Sequence, residues 1–236
     1  MAARSPRGFG QSGGVARAVE RVGERWALLI VRDLLAGARR YSDLKAGLPR
    51  IPTNILSDRL KELQQSGVIR RVPTVRGGYE LTALGRELEP VVLALERWGW
   101  AVPEEGAEGD VLTTDALGVT LRAAFRVEEA ETLPATEYLI HVGDASVSVL
   151  VAGRVLDVLD VGPDALPQPQ RRVDLPPPVD VVEFQLERDE LGALLGDGMP
   201  HLDVLAGGPE LVDRFRRTFR FDTIPGEEVA PAASAA

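Results

Sequence analysis

No cysteine occurs anywhere in the 236 residues, which excludes disulfides, thiolate metal centres and thiol redox switches. Histidine is almost as scarce. His141 and His201 are the whole supply, each without carboxylates at ligand spacing, so a zinc site, which needs three or four ligands, has no candidate set. No run of eighteen apolar residues exists to span a bilayer. The opening MAARSPRGFGQSGG carries arginines but no apolar core, so it is no secretory signal, and a cytoplasmic protein is expected. A G-x-S-x-G elbow, a P-loop and a G-x-G-x-x-G fingerprint are all missing. Gly207-Gly208 reads as a turn into a helix, and the Glu128-Glu129-Glu131 cluster as solvated glutamates. Nothing nominates a nucleophile or base, so no catalytic residue, metal or cofactor is expected and the chain is not read as an enzyme.

What is present is an uneven distribution of charge. The net charge is −9, which at first opposes a polyanionic partner. Residues 1–102, however, hold 17 Lys+Arg against 10 Asp+Glu, and residues 103–236 hold 10 against 26. A basic half (+7) precedes an acidic half (−16), the pattern of a chain that meets nucleic acid with one part and does something else with the other. A hydrophobic fraction of 44% with 27% charged residues suits a globular protein of one large or two ordinary domains.

The basic half has ordered periodicity. Val15, Val19 and Val22 form a first stripe, and WALLIVRDLLAG is a nearly continuous apolar helix closing at Gly37. Trp26 opens that run and is read as core. Tyr41 and Leu44 mark a short helix, Leu48-Pro49-Arg50 a tight turn, and Thr53–Ser66 a longer helix with Ile55, Leu56, Leu60 and Leu63 inward. Gly67 stops it, and VIRRVPT and YEL make a hairpin around Gly77-Gly78. Helix, turn, helix and two-stranded wing in that order present a helix to the DNA major groove. On its outer face lie Thr53, Asn54, Ser57, Asp58 and Lys61. Asn pairs with adenine, Ser bonds either class of base edge, and Lys reaches phosphate or guanine. Asp58 either accepts from a cytosine amine or pairs with Lys61 or Arg59. Arg39, Arg40, Arg50 and Arg59 flank the helix as candidate backbone contacts, with Arg70, Arg71 and Arg76 on the wing; for any one of them an ordinary solvated charge competes.

Thr82 caps a further helix to about Trp100, kinked at Pro90. Its stripe of Leu84, Leu88, Val91, Val92, Leu95 and Trp98 is wider than the small domain needs. With the first helix it is read as a homodimer interface, packing within the chain being the alternative.

RVGERWALLIVRDLLAGARRYSDLKAGLP, then ILSDRLKELQQSGVIRR, YELTALGREL and LERWG, closely resemble the HxlR-type winged helix-turn-helix regulators. The resemblance implies a bacterial homodimer that binds palindromic double-stranded DNA. Many members carry an electrophile-sensing cysteine ahead of the first helix; Gly13-Gly14 stand in that neighbourhood here.

The remainder is expected to be a second domain, giving a two-domain α+β chain: 1–12 disordered, 13–102 winged, 103–115 linker, 116–221 α+β, 222–236 disordered tail. Its expected strands are Leu121–Val127, Glu137–Val142, Ala145–Ala152, Val155–Val161 and Val179–Leu186, with a loop over Pro163–Pro178. Helices Asp189–Leu195 and Pro209–Phe219 follow on one face of an antiparallel or mixed sheet. VEFQLERDELGALLGDG and HLDVLAGGPELVDRFRRTFRF weakly resemble the sterol-carrier-protein-type fold. That implies an apolar cavity for a hydrophobic effector, lined by Leu191, Leu194, Leu195, Leu211, Phe215 and Phe219, which otherwise simply pack a core. The expected function is a homodimeric DNA-binding regulator, read as a repressor, whose acidic domain binds a hydrophobic effector or mediates assembly. The alternative is a hydrophobic-ligand carrier that uses its winged domain only to dimerise.

Overall fold

The computed structural model describes residues 8–73, 77–102, 109–161 and 175–222. Expectations that fall on residues 1–7, on Arg76, on 103–108 of the linker, on 162–174 and on the tail from 223 lie outside them.

Helices α1 (Gly14–Val22), α2 (Ala27–Leu35), α3 (Tyr41–Gly47) and α4 (Thr53–Gln65) are followed by strands β1 (Ile69–Val72) and β2 (Gly78–Leu81). The strands pair antiparallel, Arg70 opposite Glu80 and Arg71 opposite Tyr79. This is the winged helix-turn-helix. Pro52 precedes α4, where a missing N–H has no intrahelical acceptor to serve. Gly67, with φ +76, turns the chain out of α4 in a conformation that disfavours a Cβ. Leu56, Leu60 and Leu63 of α4 are 0–2% exposed and pack with Ile30, Leu34, Leu44 and Ile51 into one core, each such burial worth about 1.5–3 kcal/mol. Ile55, expected inward, is half-buried at its rim.

The Thr82 hydroxyl accepts the Gly85 N–H at 3.1 Å, as a helix cap should. The single kinked helix expected over Thr82–Trp100 is instead two, α5 (Ala83–Arg86) and α6 (Glu89–Ala101). Pro90 cannot donate to the preceding turn, so the chain breaks there and restarts with proline in its first turn.

Leu121–Val127, expected as a strand, belongs to α7 (Thr114–Ala124) and the start of the short α8 (Val127–Ala130). Thr113 caps α7 by accepting the Ala116 N–H at 3.2 Å. Almost all of α7 from Leu117 to Ala124 is buried because it has two buried sides. Val119 belongs to the winged core, whereas Leu117, Leu121 and Ala124 belong to a second core. A helix covered on opposite faces has no polar stripe, and its alternation imitated a strand.

The second core fills one face of a five-stranded sheet ordered β5-β4-β3-β6-β7: β3 (Thr136–Val142), β4 (Ala145–Ala152), β5 (Val155–Asp160), β6 (Asp180–Leu186) and β7 (Leu202–Ala206). The sheet is mixed, since β3 pairs parallel with β6 and antiparallel with β4. Edge strand β7 was not anticipated; it is mostly exposed and has no buried alternation to read. Tyr138, Ile140, Val147, Val149, Val182 and Phe184 point inward at the period of two and are 0–1% exposed. Helices α7, α9 (Leu191–Leu195) and α10 (Pro209–Thr218) contribute to the same core. Asp189 and Glu190, expected in the same helix as Leu195, instead belong to a single 3-10 turn (Arg188–Glu190) before α9. On the other face of β3, His141 sits between the Ser146 hydroxyl at 2.8 Å and the Glu183 carboxylate at 3.1 Å. No helix among the described residues is long and apolar enough to cross a membrane.

Candidate nucleic-acid interface

Side chains tie α3 to α4 and close the first turn of α3. The Tyr41 hydroxyl donates to the Thr53 carbonyl at 2.9 Å, so the start of α3 holds the start of α4. The Asp43 carboxylate accepts the Arg40 backbone N–H at 2.7 Å, fixing the first turn of α3. With the leucine side of α4 buried, Thr53, Asn54, Ser57, Asp58 and Lys61 are all exposed on its other side. Ser57 also donates to the Thr53 carbonyl at 3.0 Å, which leaves its hydroxyl oxygen as an acceptor toward a partner.

The flanking arginines divide. Arg40 is exposed. Arg50 is 59% exposed and lies 3.0 Å from Asp110. On the wing, Arg70 is 68% exposed and pairs across the ladder with Glu80 at 2.6 Å. Arg71 donates to the Tyr79 hydroxyl at 3.1 Å and lies over its ring. Arg59 is instead turned toward the loop between α1 and α2 and along its own helix, pairing with Glu24 at 3.3 Å and Glu62 at 2.6 Å rather than with Asp58.

Arg39 overturns its expected role. Its residue is 4% exposed, and its guanidinium is hydrogen-bonded to Asp115 of α7 and, at 2.9 Å, to Asp160 of β5. Its backbone exchanges hydrogen bonds with Tyr79 of the wing, N–H to carbonyl at 3.0 Å and 2.8 Å. Arg39 therefore cannot reach a phosphate; it fastens the wing and the start of α3 to the acidic half. Asp33 of α2 lies in the same cluster. Its burial, first, and the negative Asp115, against the opposing pull of Arg32, push its carboxyl up to about 7. Asp160 is likewise raised, by burial first and then by Asp115.

The six residues proposed to line an apolar cavity do not line one together. Leu191, Leu194, Leu195, Leu211, Phe215 and Phe219 are 0–7% exposed in the sheet core, where Phe215 stacks on Phe219 at 4.6 Å and meets Tyr138 edge-on at 5.2 Å. A cleft of about 490 Å³ lies elsewhere, between the helix-turn-helix turn and the acidic half, and of the six only Leu191 lines it. Trp26, read as core, is half-buried and lines the same cleft. Among the described residues no group of three or more His, Asp or Glu could hold a metal ion.

Residues 21–106 match the family model of the HxlR-like helix-turn-helix. The chain is 40% identical over 93 residues to the uncharacterised HTH-type transcriptional regulator YvaP of Bacillus subtilis (strain 168), covering 37% of this chain and 86% of that one. It is 44% identical over 89 residues to the uncharacterised HTH-type transcriptional regulator Mb3122 of Mycobacterium bovis (strain ATCC BAA-935 / AF2122/97), covering 36% of this chain and 56% of that one. The crystal structure of the HTH-type transcriptional regulator YtcD is 35% identical, with 37% of this chain and 94% of that chain covered and a TM-score of 0.35. A winged helix-turn-helix with this sequence kinship places the molecule among transcription regulators and not among enzymes: the chain belongs to the HxlR-like helix-turn-helix family.

Proposed function

We propose that the chain is a homodimeric regulator that reads a palindromic operator with α4 and answers to an effector held by its acidic half. The observation that carries the DNA reading is the two-sidedness of α4: its leucines are 0–2% exposed while Asn54, Ser57 and Lys61 lie open on the opposite side. Asn54 and Ser57 would read base edges, Thr53, Asp58 and Lys61 would flank them, and Arg40, Arg50, Arg70 and Arg71 would hold the backbone. Residues 13–102 form the reading unit. Residues 116–221, with α7 beginning just before them, form the regulatory one.

The purified full chain, used to select fragments from genomic DNA, is expected to recover a palindrome whose half-sites are about 10 bp apart. Asn54→Ala should then cost about 1–3 kcal/mol on that site and relax its sequence preference. Affinity should drop steeply with salt as phosphates release counterions. Random recovery, or affinity indifferent to salt, would remove the DNA reading.

Dimerisation is supported by an exposed apolar line along α1, α5 and α6: Val15, Val19, Leu84, Val91, Leu95 and Trp98, between 43% and 79% exposed. Leu95→Glu should shift the sedimentation of the chain from dimer to monomer without lowering its helix content. If the wild-type chain already sediments as a monomer, this interface is wrong. Repression follows if the operator overlaps a promoter. The carrier alternative loses its footing, because the side chains nominated to line its cavity pack one another.

A further inference from the structure

The cleft beneath the helix-turn-helix turn has a composition that specifies a ligand. Its walls are mainly apolar, with Trp26, Leu48, Trp100, Leu112 and Leu191 drawn from five separate stretches of the chain. Its charges are cationic, Arg32, Arg50 and Arg188 against the single Asp110. Arg32 is held by Asp33 at 2.7 Å, whereas Arg50 and Arg188 both meet Asp110. Asp110 demonstrates what that arrangement accepts. Its carboxylate lies 3.0 Å from Arg50, and its backbone carbonyl takes a hydrogen bond from Arg188 at 2.7 Å, so two guanidiniums from separate stretches of the chain converge on one oxygen-bearing residue. At about 490 Å³ the space falls within the range of small-molecule sites.

We propose that this cleft is the effector site and that it takes an aromatic carboxylate, the ring against the tryptophan and leucine walls and the acid on Arg50 and Arg188. A bare phosphate would leave the apolar walls unused, and the acid of an aromatic ligand would take over the contacts that Arg50 and Arg188 now make with Asp110. The position supplies the coupling. Leu48, Pro49 and Arg50, following Gly47 at the end of α3, are the turn from which α4 departs. Arg50 is also one of the candidate backbone contacts, so a ligand that engages it withdraws a cation from DNA and alters the approach to α4. The effector therefore weakens operator binding, and by linkage the operator weakens effector binding by the same factor. This coupling rests on the regulator reading above; the site itself does not.

Isothermal titration calorimetry of the full chain with 2-naphthoate tests the site, using 2-naphthamide as the uncharged counterpart and inorganic phosphate as the bare anion. Saturable binding of naphthoate is expected, with the amide and phosphate each about tenfold weaker or worse. Arg188→Gln should weaken naphthoate by about tenfold through loss of a charge-assisted hydrogen bond, whereas Arg154→Gln, at an exposed arginine paired with Glu131 elsewhere, should leave it unchanged. Equal binding of acid and amide, equal binding of phosphate, or indifference to Arg188→Gln overturns the site. Fluorescence anisotropy on a selected operator fragment tests the coupling: naphthoate should weaken DNA binding severalfold, and an unchanged affinity in its saturating presence overturns the coupling. Selective naphthoate binding by a chain that selects no DNA upholds the site while removing the regulator reading.

Discussion

Replacing Arg39 by methionine is expected to destabilise the folded chain by about 3–5 kcal/mol, the cost of removing one partner from a buried ionic cluster. The Arg39 side chain is 5% exposed, and those of Asp115 and Asp160 are 15% and 16% exposed. Methionine fills much of the same space but leaves two desolvated carboxylates confronting each other. One or both must then take up a proton or draw in water. The lost attraction also joined distant parts of the chain, because Arg39 bridges by its backbone to Tyr79 of β2. Urea unfolding near neutral pH measures the effect. A triple variant, Arg39→Met with Asp115→Leu and Asp160→Leu, should recover most of the loss, since apolar side chains need no counter-charge. If Arg39→Met costs less than about 1 kcal/mol, the cluster is hydrated and behaves as a surface pair.

Asp33→Asn should act in the opposite direction, and only at higher pH. Arg32 holds Oδ1 of Asp33 at 2.7 Å, while Oδ2 is buried with no hydrogen-bond partner among the described residues. Glycine at position 47 gives that oxygen room, as a Cβ there would stand 3.0 Å from it. Counting the cluster, Asp33, Asp115 and Asp160 face Arg32 and Arg39, with Arg122 also acting on Asp160. A proton on Asp33 brings those three carboxylates and the two nearer guanidiniums into balance. The unfolded carboxyl titrates near 4, whereas the folded one titrates at about 7. Between those values the native chain keeps a proton that the unfolded chain has released, so this residue's contribution to stability declines as pH rises through the window. Above it the accumulated penalty is on the order of 4 kcal/mol. Asparagine is neutral throughout and escapes that decline. Denaturant melts at intervals from pH 4 to 8.5 should show the variant gaining on the wild type up to about pH 7 and holding a constant lead beyond it. Curves that run parallel across the range would mean that Asp33 stays ionised throughout.

What was readable beforehand follows from how each feature is encoded. The winged helix-turn-helix is written locally: Leu56, Leu60 and Leu63 repeat at the helical period, and Pro52 and Gly67 bracket them within a few residues. Strands β3 and β6 were equally legible, since one wet face and one dry face leave alternation behind, whereas β4 is buried from Val147 to Val151 and was bounded by the turn at Gly153-Arg154. Two situations defeated the reading. In α7 the dry surface wraps around the rod, and no period survives. Arg39 and Arg40 are adjacent and chemically identical, yet one is interred and the other is open. The distinction depends on carboxylates 76 and 121 positions away, and no local window contains them. The same holds for the cleft, whose cations at 32, 50 and 188 share no motif. His141 looked isolated for that reason too: Glu183 reaches it only because β3 and β6 lie side by side.

Helix α7 has a mechanical meaning for any signal passing through the molecule. A chain built as a reading head with a tethered passenger would lose the passenger's movements in slack. Here no slack is available between the two parts, because a single rod is a wall of both interiors: Val119 is pressed into one, and Leu117 and Leu121 are pressed into the other. A tilt imposed at the sheet end is therefore delivered directly to the helices that carry the α4 turn, as a lever delivers force across its fulcrum.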